Sequence, residues 1–172
     1  MATMTNINRG VNVSAPKDEW YTPEYILDTV RAFYGTIDLD PASNAIANST
    51  VKATQYYDQQ SNGLTQTWTG NVWLNPPYSR VLIDAFINKA ISERPNYCQL
   101  ILLINSNTET KYSQKMLASC DAVCFTNHRI RFIDPNRVKA DSPVKGNAIY
   151  YLGDDVPGFR KHFNPLGTIL TP

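Results

Sequence analysis

The sequence predicts one α/β domain, in which helices cover both faces of a doubly wound, mostly parallel sheet. Short apolar segments alternate along the chain with segments that carry apolar residues at helical spacing. The clearest strand candidate, 100–104, is a continuous apolar run of the kind that parallel strands show when both faces are buried. A length of 172 residues is typical of one domain. Two late strand candidates joined by a turn-rich loop predict an antiparallel edge on the C-terminal side.

The individual elements follow from periodicity and from the residues that flank it. Thr22 and Pro23 suit the N-cap and first position of a helix that runs to Tyr34, and Gly35 suits its end. Further helices are predicted over 81–94 and 111–119, with a short or irregular one over 43–53. Strands are predicted over 36–40, 54–57, 71–74, 100–104, 123–125, 130–132 and 148–152.

Residues 1–17 are polar and aperiodic, so we expect a flexible N-terminal arm, followed by a single domain over 18–172. Positions 40 and 75, which end two predicted strands, are only 35 residues apart. Because one strand–helix–strand unit takes about 30 residues, the usual succession of units does not fit between them. We therefore expect a trimmed fold between Asp58 and Gly70, and no separate domain for target recognition.

Composition excludes several classes of protein. Charged residues make up 18% and hydrophobic residues 42%, which excludes a highly charged disordered tail protein. The chain has no apolar run of about 18 residues and no readable secretory signal, so we expect a cytoplasmic protein. Cys98, Cys120 and Cys124 lack metal-ligand spacing and suit reduced thiols. His128 and His162 also lack ligand partners, and no metal is expected.

Charge is unevenly distributed along the chain. The formal net charge is +1, but residues 111–172 carry nine basic and five acidic groups. Such an excess fits a local surface for a polyanion, and it fits ordinary surface scatter equally well.

Asn75-Pro76-Pro77-Tyr78 is the most informative stretch of the sequence. An apolar strand leads to an amide side chain, and two prolines then end the strand. The amide oxygen and a proline carbonyl are two acceptors, as an exocyclic amine requires, and Tyr78 offers a flat face for a planar base. A proline-rich loop with a core tyrosine is the alternative. Asp40 also ends a predicted strand, and ligands bind at the carboxyl ends of parallel strands.

These motifs resemble those of the S-adenosylmethionine-dependent amino-methyltransferases, whose motif is [D/N/S]-P-P-[Y/F]. More narrowly, the chain resembles the phage-encoded DNA adenine-N6 methyltransferase family. The resemblance rests on Trp20-Tyr21-Thr22-Pro23, on Leu39-Asp40-Pro41-Ala42, on Gly63-Leu64 with Trp68, and on Asn75 to Tyr78, in that order. It covers about residues 18–153.

The resemblance implies a compact Rossmann-like methyltransferase fold and methyl transfer from S-adenosylmethionine to the N6 amine of adenine in DNA. The base would be flipped into a site formed by Asn75, Pro76, Pro77 and Tyr78. Asp58 is a candidate for binding the ribose hydroxyls of the cofactor, and a solvated turn residue is the alternative. Asn62 would lie near the cofactor's adenine, at a position where relatives often carry Asp. The full implied cofactor set is Trp20, Tyr21, Thr22, Pro23, Asp40, Pro41, Ala42, Asp58, Asn62, Leu64 and Asn75.

Double-stranded DNA is the expected partner, with no membrane contact, and we expect a monomer or a weak dimer in the cytoplasm of a host cell. Arg80 lies next to the predicted active rim. The loop 129–145 carries the other candidate phosphate contacts, which are Arg129, Arg131, Arg137, Lys139 and Lys145. A solvated hairpin loop is the alternative for this loop.

Two alternatives to DNA adenine methylation remain open at this stage. The same tetrapeptide occurs in methyltransferases that act on protein glutamine or on RNA bases. A non-catalytic DNA-binding decoy could also keep the fold.

Overall fold

The computed structural model describes residues 20–133 and 145–172. The predicted arm over 1–17 lies outside these ranges, as do Arg137 and Lys139. The described α-helices are α1 (Glu24–Tyr34), α2 (Ala45–Val51), α3 (Arg80–Ser92), α4 (Lys111–Ser119) and α5 (Val156–Phe163). The described strands are β1 (Leu39–Asp40), β2 (Gln55–Tyr56), β3 (Asn71–Leu74), β4 (Gln99–Asn105), β5 (Ala122–Thr126), β6 (Asn147–Leu152) and β7 (Gly167–Leu170).

The strands form one sheet of seven in the order β2-β1-β3-β4-β6-β5-β7. The first four strands in this order pair in parallel. The pairs β4–β6, β5–β6 and β5–β7 are antiparallel. The predicted α/β class is therefore confirmed, and the antiparallel region is wider than one late pair of strands, because β7 also joins it.

The sheet separates two hydrophobic clusters, as expected of a sheet covered on both faces. Trp73, Ile101 and Tyr151 pack with α1 and α5 on one face. Val72, Leu100 and Leu102 pack with α3 and α4 on the other. Because successive side chains of a strand point to opposite faces, the apolar runs of β3 and β4 serve both clusters. This packing fixes the end of β3, where Asn75 follows.

The helix α1 begins one residue later than predicted. Pro23 occupies the N-cap position with an extended backbone, so Thr22 precedes the cap and does not bond to the helix. The apolar residues Ile26, Leu27 and Val30 form its buried stripe, and Gly35 ends it with φ +78°, as predicted.

The segment 58–70 is trimmed, as predicted. Among the described residues it contains only the 3-10 turn Gly63–Thr65. With β2 limited to two residues, this side of the sheet ends in loops. Those loops form one wall of the cavity described below.

One strand predicted near the C-terminus is absent, and two elements found there were not predicted. Residues 130–132 form no strand, and only Ile133 forms an isolated antiparallel bridge, with Tyr21. The helix α5 and strand β7 were not predicted. Asp155 caps α5 by accepting a hydrogen bond from Gly158 N, and Pro157 lies in its first turn.

Candidate active site

A cavity of about 510 Å³ opens at the carboxyl ends of the parallel strands β1 and β3. The sequence-predicted residues among its lining are Trp20, Tyr21, Thr22, Asp40, Pro41, Ala42, Asp58, Asn62, Leu64, Asn75, Pro76, Pro77 and Tyr78. These positions are up to 58 residues apart in the chain. The parallel pairing of β1 with β3 brings the Asp40 and Asn75 segments to the same rim, as the sequence indicated.

The amide of Asn75 is hydrogen-bonded on both sides. Its Nδ2 donates to the Trp20 carbonyl at 3.3 Å and to the Thr22 Oγ1 at 3.2 Å. Its Oδ1 accepts from the Tyr78 hydroxyl at 3.2 Å. Thr22 is 4% exposed, so this buried hydroxyl has a partner in Asn75.

Tyr78 packs in the cavity wall with its ring partly buried. Its edge meets the Phe132 ring at a centroid distance of 6.4 Å and an interplanar angle of 73°. Burial raises the pKa of Tyr78, so its hydroxyl remains protonated and can donate to Asn75 across the physiological range. The ring and the hydroxyl thus have different neighbours.

Asp40 is the most buried charged group of the cavity, at 3% exposure. Burial raises the pKa of Asp40 to about 7, although the hydrogen bond that its Oδ1 accepts from Ala42 N at 3.1 Å acts in the opposite direction. Ser43 is near enough to lower this pKa further. Its Oγ is nonetheless buried without a well-formed hydrogen bond among the described residues. A ligand with a hydrogen-bond donor would suit this pair.

The loop 58–64 contributes six residues to the cavity wall. Asn62 has φ +48°, and its side chain accepts from Leu64 N at 3.2 Å at the start of the 3-10 turn. A Cβ at Gly63 would lie 2.0 Å from the Pro41 carbonyl oxygen, so only glycine lets the two segments approach this closely. Trp68 stabilises this turn, because its Nε1 donates a hydrogen bond to Gly63 O at 2.8 Å.

Asp58 lines the cavity, but its Oδ1 serves the local turn. It accepts from Gln60 N at 3.0 Å, from Ser61 N at 2.8 Å and from the Ser61 hydroxyl at 2.8 Å. These hydrogen bonds lower the pKa of Asp58. The solvated-turn interpretation therefore has a physical basis, while the position in the cavity wall keeps the ribose contact as a prediction.

Sequence reasoning missed about half of the cavity wall. The additional lining residues include Ser43, Asn44, Ala47, Tyr57, Trp73, Leu82 and Phe86. Leu82 and Phe86 are four residues apart on α3, so they share the face that also contributes to the core. Asn44 carried a readable signal, since it caps α2 by accepting from Ala47 N at 2.8 Å.

Some predicted site residues lie outside the cavity lining. Pro23 is buried behind it at the start of α1. Arg80 is exposed at the first position of α3, and Arg129, Arg131 and Lys145 are exposed at the two described ends of the basic loop. The loop is connected to the site at its beginning, where Phe132 touches Tyr78 and Ile133 pairs with Tyr21.

Other kinds of site find no support in the described part of the chain. Residues 20–133 and 145–172 contain no group of three or more His, Cys, Asp or Glu side chains that could hold a metal ion. Within the same ranges, each helix is too short or too polar to cross a membrane.

Comparisons with known proteins place these motifs in a family. Residues 11–154 match the family model described as DNA N-6-adenine-methyltransferase (Dam). The DNA N-6-adenine-methyltransferase of Escherichia phage T1 is 34% identical over 182 residues, covering 94% of this chain and 74% of the relative. The enzyme of the same description from Haemophilus phage HP1 is 30% identical, covering 69% of this chain and 68% of that one.

Among solved structures, a dimethyladenosine transferase from Plasmodium falciparum is similar with a TM-score of 0.46 and 13% identity, covering 82% of this chain and 65% of that one. This likeness is too distant to bear on the fold or the activity. The family match and the phage relatives do bear on them, and the chain belongs to the DNA N-6-adenine-methyltransferase (Dam) family.

Proposed function

We propose that this protein transfers a methyl group from S-adenosylmethionine to the N6 amine of adenine in double-stranded DNA. The observation that carries the proposal is the meeting of the Asn75 amide and the Asp40 carboxyl at one rim of a single cavity. Membership in the adenine methyltransferase family gives the acceptor. The site residues and their roles, given next, are part of the proposal.

The cavity residues fit S-adenosylmethionine in size and in chemistry. A volume of about 510 Å³ lies in the range that small-molecule sites occupy, about 300–1,000 Å³. The wall offers a buried carboxyl at Asp40 for polar groups of the cofactor. It also offers a hydroxyl at Ser43 that makes no well-formed hydrogen bond among the described residues. Aromatic rings at Trp20, Tyr57 and Phe86 offer flat apolar faces for its adenine.

The methyl acceptor is held by the chain's own residues. When bound, S-adenosylmethionine supplies a methyl carbon on a sulfonium sulfur, and the sulfur keeps the electrons of the broken carbon–sulfur bond and leaves as part of a neutral thioether. Asn75 Oδ1 and the Pro76 carbonyl would accept hydrogen bonds from the two N–H groups of the amine and so leave its lone pair free to accept the methyl group. The amine would then release one proton to water. This is catalysis by placement and by preorganised acceptors.

The target adenine reaches the site by base flipping, because its amine is not accessible to the cavity within a stacked duplex. Tyr78 stacks on the flipped base. Arg80, Arg129, Arg131 and Lys145 are exposed and contact phosphates, and Arg137 and Lys139 extend the same loop in sequence. The protein acts as a monomer or weak dimer in the cytoplasm of the host cell.

Transfer of labelled methyl groups tests the proposal. The purified protein is incubated with methyl-labelled S-adenosylmethionine and, in parallel, with duplex DNA, structured RNA and a mixture of host proteins. The DNA is then digested to nucleosides. We expect label in N6-methyl-2′-deoxyadenosine from the DNA, and none in the RNA or the proteins. Label in N4-methylcytosine, in RNA or in protein, or no label in any acceptor, would reject the proposal.

A further inference from the structure

Asn75 has one hydrogen-bonding position left after its contacts within the chain. An asparagine amide has two N–H donors and two acceptor lone pairs on its oxygen. Both donors are used, one by the Trp20 carbonyl and one by the Thr22 hydroxyl. One lone pair of Oδ1 is used by the Tyr78 hydroxyl. The remaining position is the second lone pair of Oδ1. It can accept a hydrogen bond from an incoming N–H group, but it cannot bind a group that is itself only an acceptor.

The orientation of this amide is decided by the Trp20 carbonyl. A carbonyl oxygen can only accept, so it requires an N–H group opposite it. Turning the amide by 180° would place Oδ1 about 3.3 Å from the Trp20 oxygen and Nδ2 next to the Tyr78 hydroxyl. Two acceptors would then face each other, and the position left for the ligand would be a donor.

The groups that hold the amide are themselves fixed. The Trp20–Thr22 segment is tied to the beginning of the basic loop, since Tyr21 N donates to Ile133 O at 2.8 Å and Ile133 N donates to Tyr21 O at 2.9 Å. Thr22 is buried. The Tyr78 ring is partly buried against Phe132, and its raised pKa keeps the hydroxyl a donor.

We propose that Tyr78 and Thr22 are positioning residues, whose hydroxyls, with the Trp20 carbonyl, lock the Asn75 amide so that only an acceptor faces the target amine. This proposal rests on the proposed function, because it identifies how that site presents its acceptor. It assigns Tyr78 a second role beyond stacking. It also gives Thr22 a role apart from the cofactor.

Two nearly isosteric variants each remove one hydrogen bond to the Asn75 amide and leave the surrounding side chains in place. Tyr78→Phe keeps the stacking ring and loses the donor, and Thr22→Val keeps the shape and loses the acceptor. Each is expected to lower kcat about tenfold, since one hydrogen bond to a partly buried partner is involved. The KM for DNA and the Kd for the cofactor should stay within about twofold. Thr22→Ser retains the hydroxyl and should restore kcat to within about threefold of the parent.

The double variant tests whether the two hydroxyls act on the same amide. If they do, the loss in Tyr78→Phe/Thr22→Val will be clearly smaller than the product of the single losses, about 20-fold rather than about 100-fold. Losses that multiply, or a Tyr78→Phe variant within twofold of the parent in kcat, would overturn the proposal. A Thr22→Ser variant as slow as Thr22→Val would also overturn it.

A measurement that does not depend on methyl transfer distinguishes a failure of this inference from a failure of the proposed function. The side-chain amide protons of Asn75 are followed by nitrogen-15 NMR, with Asn75→Asp identifying the signal by its loss. In the parent, we expect slow exchange with water, and about tenfold faster exchange in Tyr78→Phe and in Thr22→Val. Unchanged exchange in both would overturn the lock even if the parent methylates adenine. A parent that methylates nothing but shows the protected amide would reject the function and keep the lock.

Discussion

The ends of β1 and β3 present two polar side chains to the same cavity, and the two are controlled in different ways. Asp40 is 3% exposed and accepts one well-formed hydrogen bond, from Ala42 N. Asn75 is less buried and makes three side-chain hydrogen bonds, to residues up to 55 positions away. Burial sets the protonation of the first group, whereas hydrogen bonding sets the orientation of the second. Substitutions of Asp40 should therefore change the dependence on pH, whereas substitutions of Asn75 should change the rate of methyl transfer.

Removing the Asn75 side chain should have the largest effect. Asn75→Ala deletes the acceptor for the target amine, and losses from one preorganised group of this kind are about 10²–10³-fold in kcat. The rate of labelled methyl transfer to duplex DNA measures it. A methylation rate equal to that of the parent would show that Asn75 is no catalytic acceptor.

Removing the Tyr78 ring should have the next largest effect. Base–aromatic stacking contributes about 1–3 kcal/mol, so kcat/KM for DNA should be about 5- to 150-fold lower in Tyr78→Ala than in Tyr78→Phe, which lacks only the hydroxyl. Tyr56→Ala is the matched control, because Tyr56 is a partly buried tyrosine on β2 that does not line the cavity. Steady-state kinetics on duplex DNA measure all three variants. An equal loss in Tyr78→Ala and Tyr56→Ala would contradict stacking at Tyr78.

The Asp40 end should respond to pH. With a pKa of about 7, Asp40 is mostly protonated at pH 6 and mostly ionised at pH 8. If the carboxylate binds the cofactor, the affinity for S-adenosylmethionine should rise about tenfold between these pH values, because the ionised fraction rises about tenfold. Titration calorimetry should show this rise in the parent, and Asp40→Asn should remove the part due to Asp40. A parent and a variant with the same pH dependence would contradict the assignment.

Folding stability gives an independent control for Asp40. Its pKa is 3.8 when unfolded and about 7 when folded, so the folded protein retains a proton between these values that the unfolded chain loses. The free energy of unfolding should therefore fall as pH rises from about 4 to about 7, and the Asp40 contribution should then level off. Urea titrations of Asp40→Asn should lack this fall and should show higher stability than the parent at pH 8.

The basic loop should give the smallest effect. Arg131 is exposed, and its neighbour Phe132 touches Tyr78. Arg131→Ala should weaken DNA binding a few-fold, and the slope of log K against log salt should become about one unit less negative. Arg160→Ala, an exposed arginine on α5, is the control. Equal salt slopes in Arg131→Ala and the parent would exclude a phosphate contact.

Local patterns predicted the two strand ends at which the cavity lies. The abrupt end of an apolar strand at Pro76 and Pro77 identified the rim, and strand β3 has the predicted bounds. The trimmed segment before Gly70 follows from the short separation of positions 40 and 75 in the sequence. Both features can be predicted without knowledge of distant contacts.

The remaining features depend on contacts between distant residues. The bonds from Asn75 to Trp20 and Thr22 cross more than 50 residues, and no periodicity reports them. Ile130 was read as part of a strand because it is apolar, but tertiary packing buries it in a loop. For α5, the signal of Asp155 followed by Pro157 was present, but Pro157 and Gly158 also suit a turn.

The central claim is that the Asn75 end of the cavity delivers a methyl group to adenine N6 in DNA. Sequencing the methylome of cells that lack their own adenine methyltransferases tests it most directly, with the parent and Asn75→Ala expressed to equal levels. We predict N6-methyladenine at a recurring sequence with the parent, and its loss with the variant. The absence of N6-methyladenine with the parent, or equal amounts with both proteins, would contradict the account.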